Sequence, residues 1–164
     1  MKIDEVDELF LLVGVAEKAS LKEEFKFLPK NKNSMILVPE LRPYLIGLNY
    51  HVPILKKIDL PFIYITDNMV GYLFFKKKIK KTVLFYETKE ERGLWSITGS
   101  LYFCLLSWIH KVPIKISSGK VIKSETFLDK DAKSIDGTPL IMNKNSENYI
   151  IPPQRELVRW EILI

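Results

Sequence analysis

The sequence predicts one α/β domain with a doubly wound, mainly parallel Rossmann-like sheet flanked by helices. Three observations predict it. Apolar runs that are continuous rather than alternating recur along the chain, as in strands covered on both faces. Helical patterns separate these runs, which favours right-handed crossovers between parallel strands. The length of 164 residues suits a single domain, which we place at residues 1–164.

Five apolar runs predict the strands of this sheet. The first, residues 8–15, reads ELFLLVGV, which is typical of a central strand buried on both faces. The other four are residues 34–38, 61–66, 82–86 and 113–116. Because the carboxyl ends of parallel strands share one edge of the sheet, the residues after each strand are the candidates for a site.

Helical patterns occupy residues 16–27, 42–58, 69–75 and 100–110. Pro43 suits the first turn of the second helix, whereas Pro53 is expected to interrupt or end that helix early. Asp67 or Asn68 is expected to cap the third helix. The fourth helix is apolar nearly all round, so it is either deeply buried or covered in part by another subunit.

The remaining segments carry weaker signals. Residues 89–93 are interpreted as a polar loop, and residues 117–148 as long irregular connections or a short hairpin around Asp136-Gly137. Residues 155–163 follow a pair of prolines and predict a terminal helix.

Composition narrows the class of protein. With Cys104 as its only cysteine and two histidines, the chain offers no intramolecular disulfide and no Cys-plus-His zinc pattern. No apolar run reaches the roughly 18 residues of a membrane span, so no membrane partner is expected. The acidic start lacks the pattern of a secretion signal, which predicts a cytoplasmic protein. Abundant lysine and glutamate with a single glutamine is a bias often seen in thermophiles.

Much of the formal net charge of +5 comes from a lysine cluster at residues 76–81. Such a cluster can bind nucleic acid or phosphate. It lacks interleaved stacking aromatics, and a solvated helix end explains it as well. We therefore expect no nucleic-acid partner. The absence of a Gly-x-Gly-x-x-Gly segment and of a Walker lysine loop also argues against the common nucleotide sites, so no cofactor is expected.

Two segments after strands carry a resemblance. Residues 38–47 read VPELRPYLIG, which resembles a family pattern of Glu-Thr/Ser-Arg-Pro followed four residues later by Gly. Residues 65–71 read ITDNMVG, close to the same family's Ile-Thr-Asp-Asn-Met-Ala-Gly. The family unites methylthioribose-1-phosphate isomerases, ribose-1,5-bisphosphate isomerases and the regulatory subunits of translation initiation factor 2B. The resembling part is its carboxyl-terminal domain.

Weaker similarities extend this resemblance over most of the chain from about residue 8. Residues 99–102, before an apolar helix and Lys111-Val112-Pro113, resemble the family's Ile-Gly-Thr-Tyr, helix and His-x-Pro. Residues 151–158 resemble its closing Thr-Pro-Pro-Glu-Leu-Ile segment. The resemblance implies the Rossmann-like fold of that domain, without the amino-terminal helical domain that accompanies it in the family.

The departures from the family bear on its chemistry. In the isomerases a cysteine follows the first strand, and an aspartate in a Gly-Ala-Asp-Arg motif follows the fourth. Here residues 12–16 read LVGVA and residues 85–88 read FYET, so Glu87 alone occupies the acidic position. The family's Asn-Lys pair corresponds to Ser96-Ile97. The resemblance therefore implies that isomerisation as the family performs it is lost, and Cys104, inside an apolar helix, is expected to be unreactive.

Glu40, Arg42, Asp67 and Asn68 are the candidates for ligand binding. Arg42 at a helix start can bind a phosphate or carboxylate bidentately, and the alternative is a structural network with Glu40. Asp67 and Asn68 can be helix caps alone, or contacts to sugar hydroxyls if the resemblance extends to a ligand. Glu87 is a weak candidate for a residual general base, since no partner acid is evident.

The apolar helix at residues 100–110 is the candidate for an interface. Family members pair through this domain, and such a helix is hard to cover in one small monomer. The resemblance thus implies a homodimer, with burial in the core as the alternative. The candidate interface residues are Tyr102, Phe103, Leu106, Trp108 and Ile109.

Two functional hypotheses follow from these observations. The first is a non-catalytic initiation factor 2B-like domain that dimerises and binds a partner protein or a phosphorylated small molecule. The second is a diverged sugar-phosphate aldose–ketose isomerase centred on Glu87 and Arg42. Turnover of an aldose 1-phosphate would distinguish them.

Overall fold

The structure, a computed structural model, describes residues 6–28, 33–42, 44–121 and 155–163. The strands in these ranges are β1 (Glu8–Gly14), β2 (Ser34–Pro39), β3 (Phe62–Ile65), β4 (Ile79–Tyr86), β5 (Thr88–Glu90), β6 (Gly93–Ile97), β7 (Ile114–Ser118) and β8 (Arg155–Arg159). The helices are α1 (Lys18–Glu24), α2 (Val52–Lys57), α3 (Asp67–Phe75), α4 (Ser100–Ile109) and α5 (Trp160–Leu163), and a π-helical turn, Gly47–His51, precedes α2. Within the described ranges, no helix has the length and apolar character that crossing a bilayer requires.

The main sheet has the strand order β3-β2-β1-β4-β7, and every neighbouring pair is parallel. The chain runs outward from β1 through β2 to β3 and then returns to β4 on the other side of β1. The switch point therefore lies between β1 and β4, where ligands of doubly wound sheets usually bind. The predicted fold class and its five parallel strands are confirmed.

Both faces of the main sheet are buried, which explains the continuous apolar runs. On β1, Leu9 and Leu11 lie in a core layer that includes residues of α3 and α4. Phe10 and Leu12 lie in a second layer with residues of α1 and α2. Because successive side chains of a strand point to opposite faces, the buried positions of β1, Leu9 to Val13, all have to be apolar.

A second sheet, antiparallel with the order β5-β6-β8, is absent from the sequence prediction. Residues 89–93 are part of the β5–β6 hairpin and not simply a polar loop. The predicted helix over residues 155–163 is wrong, because Arg155–Arg159 pairs with β6 and only Trp160–Leu163 is helical. The pairing buries Val158 opposite Leu94, and this distant contact overrides the local helical pattern.

The helix after β2 also differs from its prediction. Leu41 and Leu45 have positive φ values of 55° and 50°, and the helical path begins at the π-helical turn. Pro53 does not interrupt the helix, because it lies in the first turn of α2. The π-helical turn directly before it ends in a hydrogen bond from the N–H of Val52 to the carbonyl of Gly47, so the helical path continues through Pro53 to Lys57. Pro43 and the expected hairpin at Asp136-Gly137 lie outside the described residues.

Candidate functional site at the strand ends

The crevice at the switch point is covered by the chain's own backbone. After β7, the N–H of Gly119 donates to the carbonyl of Tyr86 at 2.7 Å, and the N–H of Lys120 donates to the carbonyl of Val15 at 2.8 Å. A Cβ added at Gly119 would lie 2.6 Å from the Val15 carbonyl oxygen, so a larger residue would push this segment away. Two carbonyl groups at the ends of β1 and β4 are thus satisfied within the chain.

The end of β1 has no room for a side chain. Gly14 has a φ of +82°, and an added Cβ would lie 2.0 Å from the carbonyl oxygen of Phe85. The same carbonyl accepts a hydrogen bond from the buried hydroxyl of Ser96, which also bonds the hydroxyl of Ser100 at 2.9 Å. A thiol like that of the resembled isomerases does not fit at this position. Cys104 is buried in α4, and burial raises its pKa to about 12, so it remains a thiol.

Glu87, the weak candidate for a general base, follows β4 and has a side chain that is only 1% exposed. Its Oε2 atom lies 2.6 Å from Nε of Arg155 on β8. This ion pair joins the end of the main sheet to the second sheet. The geometry therefore gives Glu87 a structural contact, and a catalytic role for it stays a prediction.

Glu40 and Arg42 form an ion pair directly after β2. Nε of Arg42 donates to Oε2 of Glu40 at 2.8 Å, and this hydrogen bond raises the pKa of Arg42 above its ordinary value. The other carboxylate oxygen of Glu40 is buried, and no hydrogen bond to it is present among the described residues. The Arg42 side chain is 37% exposed, so it remains accessible to a ligand.

Asp67 does not cap the helix that it begins. Its Oδ1 accepts the N–H of Leu41 and its Oδ2 accepts the N–H of Arg42, both at 2.9 Å. The cap position of α3 is Thr66, which makes no side-chain capping bond. Because Leu41 has positive φ, two successive N–H groups face one carboxylate, an arrangement that binds anions. The prediction that Asp67 caps α3 is wrong, because its carboxylate accepts hydrogen bonds from the loop after β2, 25 residues earlier in the chain.

Glu40, Arg42 and Asp67 therefore meet at the carboxyl ends of β2 and β3. Tyr64 lies near the end of β3, beside this cluster, and burial together with the nearby charges of Glu40 and Asp67 raises its pKa to about 12. Burial also raises the pKa of Asp67, against the two backbone hydrogen bonds that favour its anion. Asn68 lies next to this cluster on α3, but it is exposed, and no hydrogen bond joins it to the other three candidates.

The apolar helix α4 is divided between core and surface. Phe103 lies in the core layer and Leu106 is half-buried against it. Tyr102, Trp108 and Ile109 are exposed. Of the candidate interface residues, these three are the ones that a second chain could contact directly.

Helix α3 extends the exposed apolar surface. The rings of Phe74 and His110 stack with centroids 5.4 Å apart, and a Cβ at Gly71 would lie 3.7 Å from the Tyr102 hydroxyl, so the two helices are adjacent. We define the α3–α4 face by its six exposed residues, Met69, Tyr72, Phe75, Tyr102, Trp108 and Ile109. Their exposed fractions lie between 43% and 72%. The α3 half of this face was not predicted from the sequence, although a spacing of three residues places Met69, Tyr72 and Phe75 on one side of the helix.

Two further residues have roles that the sequence analysis did not assign. His51 is fully buried, its Nε2 accepts the N–H of Ala16 at 3.3 Å, and burial lowers its pKa to about 3. The carboxylate of Glu156 on β8 accepts the N–H groups of Leu101 and Gly99, so it occupies the amino-terminal end of α4. Helix amino termini bind anions, and this one holds a carboxylate from the chain itself. Neither partnership has a local sequence signal.

The described ranges contain no group of three or more His, Cys, Asp or Glu side chains placed to hold a metal ion. No protein-family model and no curated protein matches the chain.

Solved structures do match. The chain superposes on the crystal structure of the translation initiation factor eIF-2B subunit delta from A. fulgidus with a TM-score of 0.73 and 15% identity, covering 97% of this chain and 51% of the other. For 5-methylthioribose 1-phosphate isomerase from Pyrococcus horikoshii OT3, the TM-score is 0.70 with 13% identity, over 98% and 50% of the two chains. Translation initiation factor eIF-2B from the same organism gives 0.55 and 13%, over 75% and 46%.

These structures include two of the three kinds of protein in the family that the motifs at residues 38–47 and 65–71 resemble. The predicted likeness in fold is therefore confirmed, as a match to part of each relative. At 13–15% identity the comparison establishes the fold alone. The chain spans about half the length of the structures that it matches.

Proposed function

We propose that the chain is a non-catalytic, initiation factor 2B-like domain that associates with a second copy of itself through the α3–α4 face. The observation that carries this proposal is the exposure of six large apolar side chains on two adjacent helices. Monomeric proteins rarely expose large contiguous apolar patches, and such patches mark interaction surfaces.

The shape and chemistry of the face support pairing between copies. Beside Trp108 and Ile109 the surface opens into a cavity of about 790 Å³ that extends to Ile162 and Leu163 of α5. At the other end of the face, the ammonium group of Lys76 lies over the ring of Tyr72. A surface that combines protruding aromatic rings with a neighbouring cavity can contact its own copy across a two-fold axis. The chain also resembles a family whose members pair through this domain, which supports a second copy of the chain as the partner.

The geometry of the strand ends supports the non-catalytic half of the proposal. Gly14 leaves no room for a nucleophile or acid at the end of β1, and Glu87 is committed to Arg155. The backbone of residues 119–120 also bridges the ends of β1 and β4. A general base has to reach a substrate proton, and these contacts block that approach at the switch point.

A sugar-phosphate isomerase of diverged chemistry is the second candidate, and one observation favours a ligand near Arg42. The side chain of Arg42 is partly exposed, and one oxygen of the buried Glu40 carboxylate lacks a described hydrogen-bond partner. A phosphate on Arg42 with a hydroxyl donating to Glu40 would satisfy both groups. Asp67 would hold the loop, and Asn68 would be the accessible polar group beside it.

Sedimentation equilibrium at micromolar concentration tests the proposal. We expect a species of twice the 19.2 kDa chain mass and no turnover of an aldose 1-phosphate to its ketose. A single-chain mass across the concentration range would contradict self-association and leave the face to a different protein. Measurable isomerisation that Arg42→Ala abolishes would favour the second candidate instead.

A further inference from the structure

A second concave surface lies at the carboxyl end of β1, separate from the α3–α4 face. It has a volume of about 540 Å³ and lies between α1 on one side and the π-helical turn and α2 on the other. We call it the α1 pocket and define it by Glu17, Lys18, Lys22, Tyr50, Ile54 and Lys120. Its size is within the range of about 300–1,000 Å³ that small-molecule sites occupy.

Backbone contacts fix the position of this pocket beside the switch point. Lys120 is held there because its N–H donates to the carbonyl of Val15 at 2.8 Å. On the opposite wall, the Nε2 atom of the buried His51 accepts the N–H of Ala16, which ties the π-helical turn to the residue before Glu17. The pocket is therefore formed by three separate segments of the chain that are bonded to each other.

The charges of the α1 pocket are unbalanced. It contains three lysines and one carboxylate, that of Glu17. The two acidic residues of α1 are engaged elsewhere, Glu23 with Lys26 and Glu24 with Lys115. Among the described residues, no ion pair involves the three pocket lysines. A concave surface with an excess of cations concentrates anions.

We propose that the α1 pocket binds a small phosphorylated molecule, a phosphate monoester, through Lys18, Lys22 and Lys120. The ring of Tyr50 and the methyl groups of Ile54 provide the wall for the organic part of the ligand. The carboxylate of Glu17 accepts a hydrogen bond from a ligand hydroxyl and disfavours ligands of higher negative charge. This site is distinct from the Glu40–Arg42 pair, and it does not depend on self-association.

Titration of the full chain with ribose 5-phosphate and with adenosine 5′-monophosphate tests the proposal, with ribose as the uncharged control. We expect saturable binding of at least one monoester and none of ribose. The double variant Lys18→Ala/Lys22→Ala should weaken that binding by about tenfold or more, because two charge-assisted contacts are lost. Added salt should weaken it as well, because both lysines are exposed.

The matched control is Lys56→Ala/Lys57→Ala, which removes the same charge from the exposed last turn of α2. This variant should bind the monoester within about twofold of the unmodified chain, well inside the change that one charge-assisted contact makes. If both double variants lost the same affinity for the monoester, the proposal would be overturned, because non-specific electrostatic attraction would then explain the binding. Tighter binding of an RNA oligonucleotide than of either monoester, or binding of neither, would also overturn it. Sedimentation of the same variants should be unchanged, which separates this result from the test of self-association.

Discussion

The carboxylate of Asp67 binds the backbone N–H of Arg42 at 2.9 Å and that of Leu41 at the same distance. The two segments that carry the family resemblance, residues 38–47 and 65–71, are therefore bonded to each other. Their polar groups fix the edge of the sheet where β2 and β3 end. This relationship explains how both motifs can be present in a chain whose first and fourth strands lack the reactive groups of the isomerases.

Replacing Asp67 with Asn should lower the free energy of unfolding by about 1–3 kcal/mol, because an amide nitrogen would face a backbone N–H and leave it unsatisfied. Urea unfolding measures this change. The control is Asn68→Ala at the exposed neighbouring position, for which we expect a change within about 0.5 kcal/mol. Equal effects of the two substitutions would show that the carboxylate does not hold the loop.

The two motif glycines should respond to alanine in opposite directions. A Cβ at Gly47 would lie 1.9 Å from the carbonyl oxygen of Pro39, so Gly47→Ala should cost more than about 1 kcal/mol of stability. At Gly71 in α3 the nearest atom is the Tyr102 hydroxyl at 3.7 Å, which is ordinary contact. Gly71→Ala should therefore stabilise by about 0.5–1 kcal/mol through helix propensity. Thermal and urea unfolding of both variants measure these changes. If both substitutions destabilised the protein, or both stabilised it, the prediction would be wrong.

The sequence predicted the main sheet but not the long-range contacts. Continuous apolar runs specify buried parallel strands, so the main sheet and its five strands followed from local pattern. The partner of Asp67 could not be predicted, because a residue at a helix start is a cap by every local signal. The second sheet was missed for the same reason: β8 pairs with β6 across a long stretch of chain, and its own residues also fit a helix.

His51 should make stability depend on pH. Its pKa in the folded chain, about 3, lies below the ordinary value of 6.5, so between these values the unfolded chain binds a proton that the folded chain does not. The free energy of unfolding should then fall as the pH drops from 6.5 towards 3, by up to about 1.4 kcal/mol per pH unit. In His51→Gln the curve between pH 7 and 4 should be shallower, although the variant is less stable at pH 7. Parallel curves for the two proteins would disprove this role.

The ion pair between Glu87 and Arg155 should stabilise the contact between the two sheets. Arg155→Met should lower the free energy of unfolding by about 1–3 kcal/mol, because the buried carboxylate of Glu87 loses a charged partner. Adding Glu87→Gln to that variant should recover part of the loss, since the remaining buried group is then neutral. Urea unfolding of the single and double variants measures the coupling, and strictly additive losses would mean that the pair contributes nothing.

The most direct test of the account is sedimentation equilibrium of three variants beside the unmodified chain. Phe75→Glu and Trp108→Glu place a charge in the α3–α4 face, whereas Leu48→Glu places one at a residue of similar exposure, 42%, on the π-helical turn. We predict that the first two raise the dissociation constant of the dimer by about tenfold or more, because a buried charge opposes association at a large aromatic contact. Leu48→Glu should leave the dissociation constant unchanged. A monomeric unmodified chain, or equal weakening by all three variants, would contradict the account.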